Sequence, residues 1–235
     1  KKYAVFKYIA QHSGLEGLGS SPGFKLEMLK GKLELNVARC EYGQVIVIYE
    51  NGINKKDIPW GLWGRILRLY SNKNNNKKFK IYLLANSNKR VFPNRNKKIT
   101  PQNINGGYTY SCNLETIIIY RAEDATRVLL HELQHSCCLD DKNKNVDDIE
   151  AETEAWAELI YIGLLSKGNI REFNLLLKNQ IDWIINQNHK IKEYMVNPNS
   201  NEFPWRYTIG KEEVWRKWGL IRDINSDKKE EINFT

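Results

Sequence analysis

The sequence predicts an α+β fold, and three observations carry that expectation. Short β-branched and aromatic runs bounded by Asn and Gly fill the first half, a 3.6-residue apolar period takes over in the second, and no internal repeat or linker separates them. The expected architecture is an N-terminal mixed α/β lobe with a small sheet, residues 1–120, packed face to face on a mainly helical lobe, residues 121–235. The two lobes form one domain with a cleft between them.

Taken in order, residues 13–24 carry four Gly and one Pro and read as a loop. They are not a phosphate loop, since no Gly-Lys-Ser/Thr follows. Gly43 to Tyr49 (GQVIVIY) and Phe79 to Leu84 (FKIYLL) read as strands. Between them Trp60, Leu62, Trp63, Ile66, Leu67 and Tyr70 recur at helical spacing over residues 59–70. Asn105-Gly106-Gly107-Tyr108 marks a turn, and strands are expected at 108–112 and 116–120. Helices are expected at 122–139, 147–166, 170–195 and near 211–218.

The chain has 235 residues, 41% hydrophobic and 27% charged, with seven Trp and twelve Tyr, which is the composition of a folded, soluble protein. No apolar run approaches the roughly 18–20 residues of a membrane span. Opening on Lys1 rather than Met, the chain is expected to have lost an upstream segment, which leaves the compartment open with an intracellular one favoured. Four cysteines, Cys40, Cys112, Cys137 and Cys138, do not describe a disulfide framework and are expected as reduced, packed thiols, with a Cys40–Cys112 bridge as the alternative.

The net charge of +8 is divided unevenly. Residues 1–120 hold 20 Lys and Arg against 7 Asp and Glu, and residues 121–235 hold 16 against 21. Thirteen basic residues between Lys55 and Lys98 meet only Asp57. That run either steers an acidic partner or is a solvated Lys/Asn-rich surface, the latter being favoured by Ser71 to Lys78.

The motif that carries chemistry is His131-Glu132-Leu133-Gln134-His135. On a helix its two imidazoles lie one turn apart on one face, able to share a zinc ion, and Glu132 is set to reach a water beside it. Uncharged flanks, Val128-Leu129-Leu130 and Leu133-Gln134, suit a helix under a cleft. A third ligand is expected from Asp147 to Leu159, which offers Glu150, Glu152, Glu154 and Glu158.

Over residues 128–158 the sequence resembles the gluzincin metallopeptidases, whose ligands are the two HExxH histidines and a Glu from the following helix. The resemblance implies a zincin-like fold and a zinc-dependent peptidase with Glu132 as general base. Glu154-Ala155-Trp156-Ala157-Glu158 is similar to the Asn-Glu-Gly-Phe-Ala stretch of gluzincin aminopeptidases, with Thr153 in place of the Asn, and nominates Glu154. The thermolysin-type pattern instead nominates Glu150, with Glu154 orienting a histidine. A helix running to about Leu139 favours Glu154, which is the expected third ligand, followed by Glu150 and Glu152. The metzincin pattern would use Asp141 with Met195 as a Met-turn, but Cys138 stands where that pattern wants a positive-φ Gly. Cys138 also shares a helical face with His131, and packing is expected there rather than ligation.

In such an enzyme one further donor stabilises oxyanion charge, and Tyr207 is the choice over Tyr161, Tyr194 and His189. Zincins hold peptides by strand addition to an edge strand before the active helix, which assigns substrate binding to Gly107 and Tyr108. Trp205, Trp215 and Trp218 are expected in the core. The partner is then a peptide or protein, acidic if the basic run steers it. The other class of reading is a non-catalytic metal-containing protein binding nucleic acid or another polyanion through the basic lobe. It is disfavoured because Glu132 has no use in a structural site and no nucleic-acid-binding signature accompanies the charge.

Overall fold

The computed structural model describes residue 27, residue 30 and residues 33–50, 53–71, 78–94, 97–195 and 204–222. The expected loop at 13–24 lies outside them, as does most of the Asn-rich stretch after Ser71. Five strands form one mixed sheet: β1 (Glu34–Cys40), β2 (Gly43–Tyr49), β3 (Phe79–Ala85), β4 (Gly107–Thr109) and β5 (Ile117–Ile119), in the order β1-β2-β3-β5-β4. β2, β3 and β5 run parallel, and the edges β1 and β4 run antiparallel to their neighbours.

The parallel strands are apolar at nearly every position because both of their faces are covered. One face holds Val45, Val47, Ile81, Leu83, Ile117 and Ile119, and the other holds Ile46, Ile48, Tyr82, Leu84, Ile118 and Tyr120. β1 was not expected from sequence. Its residues ELNVARC alternate in exposure, as an edge strand's do, and so lack the continuous apolar run that marks β2.

Helix α1 (Trp60–Ser71) buries Trp63, Ile66, Leu67 and Tyr70 at helical spacing, and the Trp63 indole N–H donates to Thr126 Oγ1 at 2.9 Å. A single turn, α2 (Pro101–Ile104), precedes β4. Then come α3 (Ala125–Ser136), α4 (Val146–Ser166) and α5 (Ile170–Lys192), a π-helical turn at Trp205–Ile209, and α6 (Gly210–Lys217). Asn145 and Asn169 cap α4 and α5 through their side chains, and Asp147 and Asp148 complement the α4 dipole. The π-turn was not expected, since periodicity cannot announce one.

The core on the helix side of the sheet crosses the residue 120 boundary: Val128, Leu129, Leu130, Leu133 and Ala157 pack with the strand residues. A second cluster joins α4 to α5 and α6 through Ala155, Ile162, Ile184 and Trp215. Trp205 and Trp215 are buried as expected, while Trp218 is only partly buried and meets half-exposed Trp156 at a tilt of 48°. Among the described residues no helix is long and apolar enough to cross a membrane.

The expectation of reduced thiols is corrected. Cys112, just past β4, is disulfide-bonded to Cys138, just past α3, and Cys40 and Cys137 form no disulfide. Both bonded cysteines hold a positive φ, 61° and 57°. Sequence spacing gave no sign of the pairing, because only the fold brings the residue 110 turn beneath the end of α3. Such bonds persist in oxidising compartments and are rare in the cytosol, so the intracellular expectation gains nothing from the cysteines.

Candidate metal centre

Helix α3 ends at Ser136, immediately after His135, and α4 returns antiparallel from Val146. Residues four apart on each helix therefore face one another: His135, His131 and Arg127 on α3, against Glu150, Glu154 and Glu158 on α4. Glu150 Oε2 lies 3.3 Å from His131 Nε2 and 3.6 Å from His135 Nε2, and those two nitrogens are 3.1 Å apart. One step along, Glu154 Oε1 is 3.3 Å from His131 Nδ1, an ion-pair contact without hydrogen-bond geometry, and its Oε2 accepts from Arg127 at 2.9 Å. One step further, Arg127 is 3.8 Å from Glu158, which accepts from the buried Lys211 ammonium of α6 at 3.0 Å.

The triangle of His131 Nε2, His135 Nε2 and Glu150 Oε2 could hold a metal ion: two edges, 3.3 and 3.6 Å, match the spacing of about 3.3–3.6 Å between ligand atoms of a tetrahedral zinc site, and the third, 3.1 Å, is slightly shorter. The buried Glu150 Oε2 has no hydrogen-bond partner, and such an orphaned oxygen is costly unless a cation satisfies it. Asp140 lies 2.9 Å from His135 Nδ1, fixing that ring so that Nε2 faces the triangle.

The expected third ligand, Glu154, is not part of this triangle: it lies on His131 Nδ1 and Arg127, and Glu150 stands beside the two Nε2 atoms instead. The helix was expected to run to Leu139 but ends three residues earlier, at Ser136, and the start of the second turn of α4, at Glu150, meets both Nε2 atoms. Glu152 is directed away and pairs with Lys144. Asp141 accepts from Asn143 outside the triangle, and Met195 packs with Ile191 and Trp205. Cys138 does adopt the positive φ that was held to exclude it, so what separates Asp141 from the triangle is its position and not Cys138. The Cys138 sulfur is spent on the disulfide.

Glu132 is buried, and that burial pushes its carboxyl up to about 7 against the pull of His131 and His135. Burial opposes protonation of His135, yet the carboxylates of Asp140 and Glu150 raise it to about 9. The Glu154 carboxyl resists desolvation and is held well below the usual range by Arg127 and His131.

These groups line a cavity of about 460 Å³, which also receives Gly107, Tyr108, Thr109 and Tyr207. The π-turn carries Tyr207, whose phenol burial raises well above its ordinary value, the nearby Glu150 adding to the effect, so it remains a donor at neutral pH. Tyr194 stacks on Phe92 at 5.1 Å, His189 is exposed and Tyr161 packs on the core; none of the three lines the cavity.

β4 is the sheet edge beside α3. Tyr120 N–H donates to Gly106 O, so antiparallel alternation pairs Tyr108 with Ile118 and turns the N–H and C=O of Gly107 and Thr109 outward. The Tyr108 ring packs with the cluster on the far sheet face. A Cβ on Gly107 would stand 2.7 Å from Glu132 Oε1 and 2.9 Å from Ile118 O.

Sequence reading missed Arg127 and Asp140, and gave Glu158 no part beyond that of a possible ligand. The signal was present as two matched series at spacing four, Arg127/His131/His135 and Glu150/Glu154/Glu158, which antiparallel helices align.

Comparison with protein-family models, curated proteins and solved structures gives no match to this chain, so its reading rests on its own residues.

Proposed function

We propose that the protein is a zinc-dependent peptidase of zincin-like architecture, with His131, His135 and Glu150 holding the metal. The observation that carries the reading is the convergence of three donor atoms within 3.1–3.6 Å of one another beside the buried carboxylate of Glu132. The open backbone of β4 along the same cavity supports a peptide as the substrate.

Bound there, zinc supplies Lewis acidity toward water and a scissile carbonyl. Glu132, buried beside the triangle, takes the proton of the attacking water and delivers it to the leaving amine. A C–O bond forms, the C–N bond breaks, and the products are an acid and an amine. Tyr207 donates toward the developing oxyanion. Gly107 and Thr109 align the peptide by strand addition, and Gly107 leaves Glu132 the room it needs.

Elemental analysis alongside cleavage of a random peptide library tests the reading. About one zinc per chain and library cleavage are expected, with Glu132→Gln keeping the metal and losing 10²–10⁴-fold in rate, the scale of general-base catalysis. A wild-type protein that takes up no zinc, or a Glu132→Gln variant that cleaves at the wild-type rate, would overturn it.

A further inference from the structure

Beyond the three ligand atoms runs a chain of alternating charges: His131, Glu154, Arg127, then Glu158 and Lys211 on one branch and Asp124 and Arg90 on the other. Its members come from four parts of the fold. Arg90 lies in the segment after β3, its Nε donating to Ile104 O at the entry to β4 and its Nη1 to Asp124. Asp124 stands at the N-cap of α3, yet its side chain makes no cap bond; it lies at φ 53° and turns its carboxylate to Arg90 at 3.0 Å and Arg127 at 3.5 Å. A left-handed Asp that gives up its helix cap is a local cost that the two arginines offset.

We infer that Arg127 is a positioning residue for the metal centre, holding Glu154 against His131 Nδ1 so that His131 Nε2 faces the triangle. The inference rests on the zinc reading above. Arg127 has the required form, since a guanidinium fork spans Glu154, Glu158 and Asp124 at once where an ammonium bonds as a point charge. The arrangement also isolates its effect. Without Arg127, Glu158 keeps Lys211 and Asp124 keeps Arg90, and Glu154 alone loses its cationic anchor. Freed from that anchor, the carboxylate is no longer fixed on Nδ1, and ring orientation is the property that such outer partners set.

The test measures zinc affinity of the full chain by chelator competition, with the cobalt(II)-substituted absorption spectrum as a geometric readout. Arg127→Met is expected to weaken zinc 10–100-fold and shift the cobalt bands, the range found for partners of ligating histidines. Arg127→Lys keeps the half-buried positive charge and hence folding, but lacks the fork, and is expected to weaken zinc by about tenfold, the low end of that range. In a double variant with Glu154→Gln, Arg127→Met is expected to add no further loss, since it acts through that carboxylate. Wild-type zinc affinity and cobalt bands in folded Arg127→Lys would overturn the inference and leave the peptidase reading intact. A further loss in the double variant would show that Arg127 acts by another route. A wild-type chain that takes no zinc would sink the peptidase reading and this inference with it.

Discussion

A methyl group on Gly107 would stand 2.7 Å from Glu132 Oε1, closer than any real Cβ contact. The edge strand and the carboxylate expected to move protons thus share one small space. The same methyl would also meet Val128 Cγ1 at 2.7 Å and the backbone oxygen of Ile118 at 2.9 Å, which cannot yield cheaply. Gly107→Ala is expected to cost about 1–3 kcal/mol of stability as an overpacked site and, by moving Glu132, at least about tenfold in kcat/KM. Gly61→Ala is the control. It sits on helix α1 with nothing within 4 Å, and should be neutral or stabilising by up to about 1 kcal/mol. Thermal unfolding and peptide kinetics on the same preparations decide between them.

The metal triangle makes an ordered prediction for four carboxyl variants. Glu150→Gln exchanges an anionic ligand for a neutral amide and should abolish tight zinc binding. Glu154→Gln and Asp140→Asn remove the partners of His131 Nδ1 and His135 Nδ1, and each should cost 10–100-fold in affinity. Asp141→Asn should change nothing. Zinc titration checks the order, and a Glu154→Gln loss exceeding that of Glu150→Gln would return the ligand role to Glu154.

The disulfide ties the turn after β4 to the end of the helix that carries both histidines, across a sequence separation of 26. Cys112 N–H also donates to His135 O at 2.9 Å in the same place. Cys112→Ser with Cys138→Ser should lower stability by about 3.5 kcal/mol on the loop-entropy estimate. For a chain of this size that corresponds to a Tm lower by about 7–14 °C. Calorimetry with and without reductant should show wild type approaching the double variant once reduced, and the double variant unaffected by reductant.

Five carboxylates line the cavity, from Glu123, Asp124, Glu132, Glu150 and Glu154, against the cations Arg90, Arg127 and Lys211, each of them ion-paired. Any attraction for an acidic substrate by the run from Lys55 to Lys98 therefore acts mainly from outside the cavity, as long-range steering. Raising salt from about 50 to about 500 mM should then lower kcat/KM more for acidic peptides than for neutral ones, since the Debye length shortens severalfold. Equal salt dependence would show the basic run to be a solvated surface.

Much of the fold was legible in the chain because it follows from local periodicity. The run at 43–49 forms β2 at the expected residues, the 59–70 spacing forms α1 within one residue, and the long helices begin within three residues of their expected starts. Edge strand β1 was not legible, because half-exposed residues interleaved with Glu34, Asn36 and Arg39 resemble a loop until a neighbour pairs with them.

For the candidate site, sequence alone determined the pair His131 and His135 on one helical face and the supply of carboxylates that follows, because residues four apart on a helix must face the same way. Which carboxylate meets the imidazoles was decided by tertiary structure. The end of α3 at Ser136 and the antiparallel return of α4 set the register between two helices, and a shift of one turn exchanges Glu150 for Glu154. The Cys112–Cys138 bond, Asp140 behind His135 and Tyr207 carried in on a π-turn were likewise decided there. Each depends on where a turn or loop comes to rest against a distant element, and contacts between distant elements leave no period in the sequence.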